Sequence, residues 1–245
     1  MTFHQEMRRL VLEHGAVNNP YLDRFRAGKL TDSDLKEFAF EFYNFSRFFP
    51  KILVSQLVNT EDERVADELT KVLYSELGDG QTSRRHELLY RNFLRSVGID
   101  IHEAMARPML ASTRAYIDGM ERLYSDANHA KALGASFGLE NMAITMWDHL
   151  IPGLTHLKLT RYPQMDLAYF TFHRQLEGTH EEAMEQAVAA VQGTDEIGMS
   201  EQDEADFRSG VNAVLSYLEG FWVGLDQRKT SADNTWTGLA RRRAS

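Results

Sequence analysis

The sequence predicts an all-α protein, a bundle of about seven helices in a single domain. Three observations predict it. Only five prolines and sixteen glycines punctuate the 245 residues. Apolar residues recur at spacings of three and four through long stretches, the period of a helix with one buried face. No stretch of useful length alternates apolar and polar side chains as a half-buried strand does, and no internal repeat is present. A chain of this length can bury a large core.

The elements follow in order. Residues 4–14 form an amphipathic segment that ends at the break "GAVNNP". From Thr31 or Ser33 a long helix runs through "LKEFAFEFYNFSRFFPKILVSQLVN", and Pro50 is expected to kink or split it. "EDERVADELTKVLYSEL" is the next helix, closed by "GDG" at 78–80. Another starts near Thr82 or Ser83, either of which can cap it, and runs to Ser96 before Gly98. "ASTRAYIDGMERLYSD" and "HAKALGASFGLENMAITMWDHLI" follow, with Pro152–Gly153 expected to close the second. After "RYPQMD" one helix continues to Val191, and a last one spans about 201–226. The domain should therefore take in 1–228. The remainder, 229–245, is a polar tail with a basic end, expected to be flexible.

Composition removes several function classes. The net charge of −9 disfavours a nucleic-acid or anionic-membrane partner. There is no cysteine, which excludes disulfides, thiolate zinc sites, iron–sulfur clusters and a cysteine nucleophile. Any transition metal must be held by nitrogen and oxygen. Charges scattered through "MTFHQEMRRLVLEHG" are unlike a signal peptide, and no apolar run approaches the roughly 20 residues of a membrane span. A cytoplasmic location is the expectation.

Three stretches carry candidate chemistry. In "FHRQLEGTH", His173, Glu177 and His180 stand at offsets of four and seven. A helix turns by roughly 100° per residue, so all three share one stripe. That stripe is either half of a two-metal site or a solvated face. In "SELGDGQTSRRHELL", ten residues of unbroken helix would leave Glu76 and His86 about 80° apart, but the "GDG" between them can restart the helix. In "FGLENMAITMWDHL", Glu140 sits among Leu139, Met142, Ala143 and Ile144. Buried carboxylates are rare unless they are paired or bind metal. Taken singly, each stretch also has a plainer reading: a helix C-cap, a solvated acid, a surface stripe.

Taken in order, E-x9-H, a middle-helix Glu and H-x3-[DE]-x2-H resemble the haem-oxygenase-like di-iron oxidases and oxygenases, iron-containing redox enzymes of the TenA/PqqC-like fold. "NPYLDRFRAGKLTDSDLKEFAFEFYNFSRFFPKIL" looks like the family's N-terminal block, "YSELGDGQTSRRHELLYRNFLRSVGID" like the next, and "YFTFHRQLEGTHEEAMEQAV" like its last metal-binding helix. The resemblance implies a haem-oxygenase-like bundle in which Glu76, His86, Glu140, His173, Glu177 and His180 bind two ferrous ions, with O2 as co-substrate. The family more often has Asp where this chain has Glu177. The implied substrate is a small metabolite, amino-acid-like or fatty-acid-like, oxidised by C–H or C–C cleavage or by N-oxygenation. An external electron donor and a homodimer are both compatible with the resemblance.

Branches of the family separate on particular residues. The absence of cysteine argues against the thiaminase branch, and six ligands fit poorly with the quinone-synthesis branch. Haem oxygenase needs an axial His near the N-terminus; His14 lies in that region, but the six-ligand pattern would then be unexplained. The para-aminobenzoate-forming branch places a Tyr just before the middle-helix Glu and a Lys ten residues after it, where this chain has Leu139 and Leu150. N-oxygenating members tend to add a seventh carboxylate upstream of the first Glu. The acids available there are Glu37, Glu41 and Glu61, none in a decisive context, which leans toward C–H or C–C chemistry. For the substrate, Tyr43 and Arg47 stand four apart and can present a hydroxyl and a guanidinium to a cavity, and Trp147 follows Glu140 by two turns. Two competing readings remain: a binding or cofactor-biosynthesis protein of the same fold with a metal-free or vestigial site, and a helical interaction protein with a hydrogen-bonded polar network.

Overall fold

The computed structural model describes residues 2–192 and 199–228, without the side chains of residues 103, 177, 179, 191 and 192. The tail 229–245 lies outside the described residues. Among them are ten α-helices and no strand: α1 (Phe3–Glu13), α2 (Pro20–Arg26), α3 (Asp32–Asn59), α4 (Glu63–Glu76), α5 (His86–Ser96), α6 (Ile101–Ala106), α7 (Ala111–Tyr124), α8 (His129–Thr160), α9 (Ala168–Gln192) and α10 (Glu201–Arg228). The all-α single domain is as the periodicity predicts. The count exceeds seven partly because short helices fill stretches that read as breaks. α2, for instance, is nucleated by Asn19, whose side chain accepts from Leu22 N–H at 3.0 Å, and by Pro20 at its first position.

Pro50 does not split its helix, and Pro152, expected to close one, lies inside it. α3 passes through Pro50 and α8 through Pro152 without a break. Each proline removes one backbone donor, a cost of about 3 kcal/mol in an isolated helix. The flanking residues offset it by burial: Phe49, Ile52 and Leu53 around the first, Leu150, Leu154 and Leu157 around the second. Gly153 serves packing rather than termination, since a Cβ there would strike the Phe25 carbonyl. α5 also starts later than expected, at His86, because Thr82–Arg84 form a separate 3-10 turn.

α8 is the central helix, packed against α1, α2, α7, α9 and α10. Its seam with α10 depends on glycine: a Cβ on Gly134 would meet the Phe207 backbone, and one on Gly210 would meet the Lys131 carbonyl. α3 lies across the bundle with Phe38, Phe42, Phe45 and Phe49 on one stripe, and Phe42 stacks on Tyr90 of α5 with ring centroids 5.9 Å apart. α4 packs along α9. The stripe of α3, the ends of α4 and α5, and the middles of α8 and α9 therefore converge on one region.

Candidate metal centre

Glu76 is the last residue of α4 and His86 the first of α5. Between them Gly78, Asp79 and Gly80 have φ of 92°, 50° and 77°, three successive left-handed residues that stop one helix and turn the chain back. The turn brings His86 Nδ1 to 2.9 Å from Glu76 Oε2. Both side chains are buried, yet the contact is not aligned as a hydrogen bond, and both His86 ring nitrogens lack a partner. Buried polar atoms are seldom left so. Two donor atoms on one ion, with bonds near 2.1 Å at right angles, would sit about 3 Å apart.

His173 completes this group from α9. Its Nδ1 lies 2.8 Å from the carbonyl oxygen of Tyr169, one turn earlier. As donor in that bond it leaves Nε2 with a free lone pair, and Nε2 lies 3.8 Å from Glu76 Oε1. Orientation of an imidazole by a backbone carbonyl is the usual support for a metal-ligating histidine. One ligand atom each from Glu76, His86 and His173 lie within 4.8 Å of one another. Burial alone would push the Glu76 carboxyl up, but the adjacent His86 imidazole overcomes it and holds the acid well below the usual carboxylate range. Burial, with His86 alongside, pushes His173 down to about 4, so this ring is neutral at pH 7.

A second group stands one or two turns further along α9. His180 Nδ1 is 3.5 Å from Glu140 Oε2, and both residues are buried. Glu76, His173, Glu140 and His180 line a single cavity, which Phe42, Phe45, Phe49, Met142, Met146 and Trp147 close on the apolar side. Glu177 lies on α9 between the two histidines, and its side chain is outside the described residues. The donors present are buried carboxylates and imidazoles, with two acids to offset cationic charge. Such a set suits iron and gives no thiolate that would favour another choice.

The remaining sequence candidates take other places. Trp147 lines the cavity and packs on His173, with ring centroids 5.2 Å apart. Tyr43 instead donates to Glu87 at 2.7 Å and stacks on Tyr90. Arg47 lies over the Phe48 ring and donates to Asn44 at 3.0 Å. Neither is on the cavity wall. Of the upstream acids, Glu37 pairs with Arg107 and Arg228, Glu41 accepts from Leu110 N–H, and Glu61 is exposed. His14 ends α1 and its Nδ1 accepts from Ala16 N–H at 3.0 Å. Tyr169 and the aromatic stripe of α3 were missed from sequence. The offsets of four, three and four along Phe38, Phe42, Phe45 and Phe49 were the available signal.

Similar proteins bear on this centre. Residues 36–213 match a family described as iron-containing redox enzymes. The chain is 29% identical over 216 residues to a 4-chloro-allylglycine synthase of Streptantibioticus cattleyicolor, covering 88% of this chain and 79% of that protein. It is 22% identical to a 4-aminobenzoate synthase of Chlamydia muridarum, over 74% of this chain and 75% of the other. Among solved structures, a domain of unknown function with a haem-oxygenase-like fold from Shewanella denitrificans superposes with a TM-score of 0.69 at 20% identity, covering 91% and 88% of the two chains. The match spans most of the helical domain and includes every element that supplies the buried acids and histidines, and so the chain belongs to the iron-containing redox enzymes of haem-oxygenase-like fold.

Proposed function

We propose that this protein is an O2-dependent non-haem di-iron oxidase or oxygenase acting on a small, amino-acid-like metabolite, by oxidative C–H or C–C cleavage or by N-oxygenation. The observation that carries the reading is the pairing of two buried carboxylate–imidazole groups, Glu76/His86/His173 and Glu140/His180, that reach one cavity through Glu76, His173, Glu140 and His180. Glu177 falls on the same stripe of α9 and would complete a set of three ligands per ion. Two ferrous ions held there would supply reductive activation of dioxygen, with further electrons from an external donor where the reaction needs them.

The chain's own residues set the conditions for that chemistry. Tyr169 fixes the tautomer of His173, so that Nε2 is presented without a proton. The neighbouring His86 imidazole keeps Glu76 ionised despite its burial. Trp147, Phe42 and Phe45 supply an apolar wall to the cavity, which lowers the local dielectric beside the buried donors. The amino-acid-like substrate class is supported by the relative named for an allylglycine derivative.

Anaerobic titration with ferrous iron, followed by oxygen, tests the reading. It expects close to two irons per chain and a transient optical band, with iron lost in His86→Ala and His180→Ala. A chain that binds no iron and consumes no oxygen with any amino-acid-like compound would instead be a binding protein on this fold.

A further inference from the structure

A second cavity lies between α4 and α9, with His180 on its wall as well. Its volume is about 360 Å³, within the roughly 300–1,000 Å³ of pockets that hold small metabolites. The aromatic cavity, at about 50 Å³, is several-fold too small for one. The difference in size assigns the larger space to a metabolite.

The α4 wall of this cavity is a single stripe. Glu68, Val72 and Ser75 follow at offsets of four and three, and all three line it. Glu68 is only 9% exposed. Its Oε1 accepts from Lys71 at 2.6 Å, while its Oε2 is buried without a hydrogen-bond partner. Ser75 Oγ, also buried, lacks one too. Two buried, unpartnered polar atoms on one stripe are costly to maintain. Charge indicates which ligand. Among the described residues Glu68, Asp79 and Glu182 line the cavity against Lys71, three carboxylates and one ammonium, a net −2. Asp79 is partly satisfied by Arg84 at 3.3 Å, whereas Lys71 is 60% exposed and free to swing away into water.

We infer that this cavity binds the substrate through an amine, with Glu68 as the specificity-determining residue that accepts from the substrate's ammonium group. The link to catalysis rests on the proposed function, because it runs through His180. A buried carboxylate forms a hydrogen bond reinforced by ion pairing with an ammonium group, a weaker one without ion pairing with an alcohol, and repels a carboxylate.

Calorimetric titration of the full chain with n-hexylamine, 1-hexanol and hexanoate, with and without ferrous iron under anaerobic conditions, tests this. Hexylamine should bind most tightly and hexanoate least. Glu68→Gln, which keeps the shape, should weaken hexylamine at least tenfold and leave hexanol unchanged. Lys71→Met should tighten hexylamine several-fold by removing the competing cation, an effect a merely structural Glu68 would not produce. Equal hexylamine affinity in wild type and Glu68→Gln, absence of hexylamine binding in the wild type, or a preference for hexanoate overturns the inference. A chain that takes up iron and oxygen but shows no Glu68-dependent amine binding overturns it alone. Glu68-dependent amine binding in a chain that takes up no iron overturns the proposed function and leaves the amine site standing.

Discussion

Glu76 Oε2 stands 2.9 Å from His86 Nδ1, although one residue ends a helix and the other begins the next. The contact depends on the left-handed turn between them. A Cβ at Gly78 would meet the Gln81 carbonyl at 2.5 Å and Arg85 N at 2.7 Å, on a backbone already at φ 92°. Gly78→Ala should therefore cost more than the roughly 1–2 kcal/mol of left-handed strain and displace His86. Gly98 has φ 77° but nothing within 4 Å of its Cβ position. Gly98→Ala should cost only about 1 kcal/mol and leave iron uptake intact. Urea unfolding with iron stoichiometry on both variants separates strain from loss of the centre.

Metal binding to a centre that exists only in the folded chain must stabilise the fold. At ferrous iron one hundred times its dissociation constant, each site adds about 2.7 kcal/mol, or a rise of very roughly 5–10 °C in Tm for a chain of this size. Anaerobic melts with and without iron should show that rise in the wild type. His173→Ala and His86→Ala, which remove ligands of one site only, should keep no more than about half of that rise.

The helices were legible because their apolar period is strong, and Glu140 was legible because a lone acid in an apolar helix has few other uses. The route by which Glu76 reaches His86 was legible only as an allowance that "GDG" can restart a helix. The turn's three positive φ values come from tertiary closure that a sequence does not display. Pro50 and Pro152 misled for the same reason: local propensity favours a break, and burial of Ile52, Leu53, Leu154 and Leu157 outweighs it. Tyr43 and Arg47 were chosen by spacing on α3. Spacing does not reveal that Glu87, on a different helix, takes the Tyr43 hydroxyl.

The close approach of α8 and α10 makes a separate prediction about stability. Gly210 lies against the Lys131 carbonyl and the Ala135 amide, both backbone groups that cannot rotate away. Gly210→Val should destabilise by about 3 kcal/mol or more, at the upper end of overpacking costs. Gly220, on the same helix with nothing within 4 Å of its Cβ position, should tolerate alanine and gain slightly from its higher helix propensity. Thermal melts of the two variants make the comparison.

Glu41 predicts how stability varies with pH. It is fully buried on α3 and accepts from Leu110 N–H at 3.1 Å, where α7 begins. Burial pushes its carboxyl from the ordinary 4.5 up to about 7, against the opposing hydrogen bond from Leu110 N–H. In the unfolded chain the group ionises near 4.5; in the folded chain it holds its proton until about 7. The native state therefore binds more protons across that window, and this group's contribution to stability falls as pH rises through it. Above it both states are ionised and the loss is constant, up to about 3 kcal/mol for a shift of this size. Glu41→Gln cannot ionise, so its denaturant midpoint should fall less between pH 5 and pH 8 than that of the wild type. Parallel pH profiles for the two proteins would show that Glu41 does not titrate in this window.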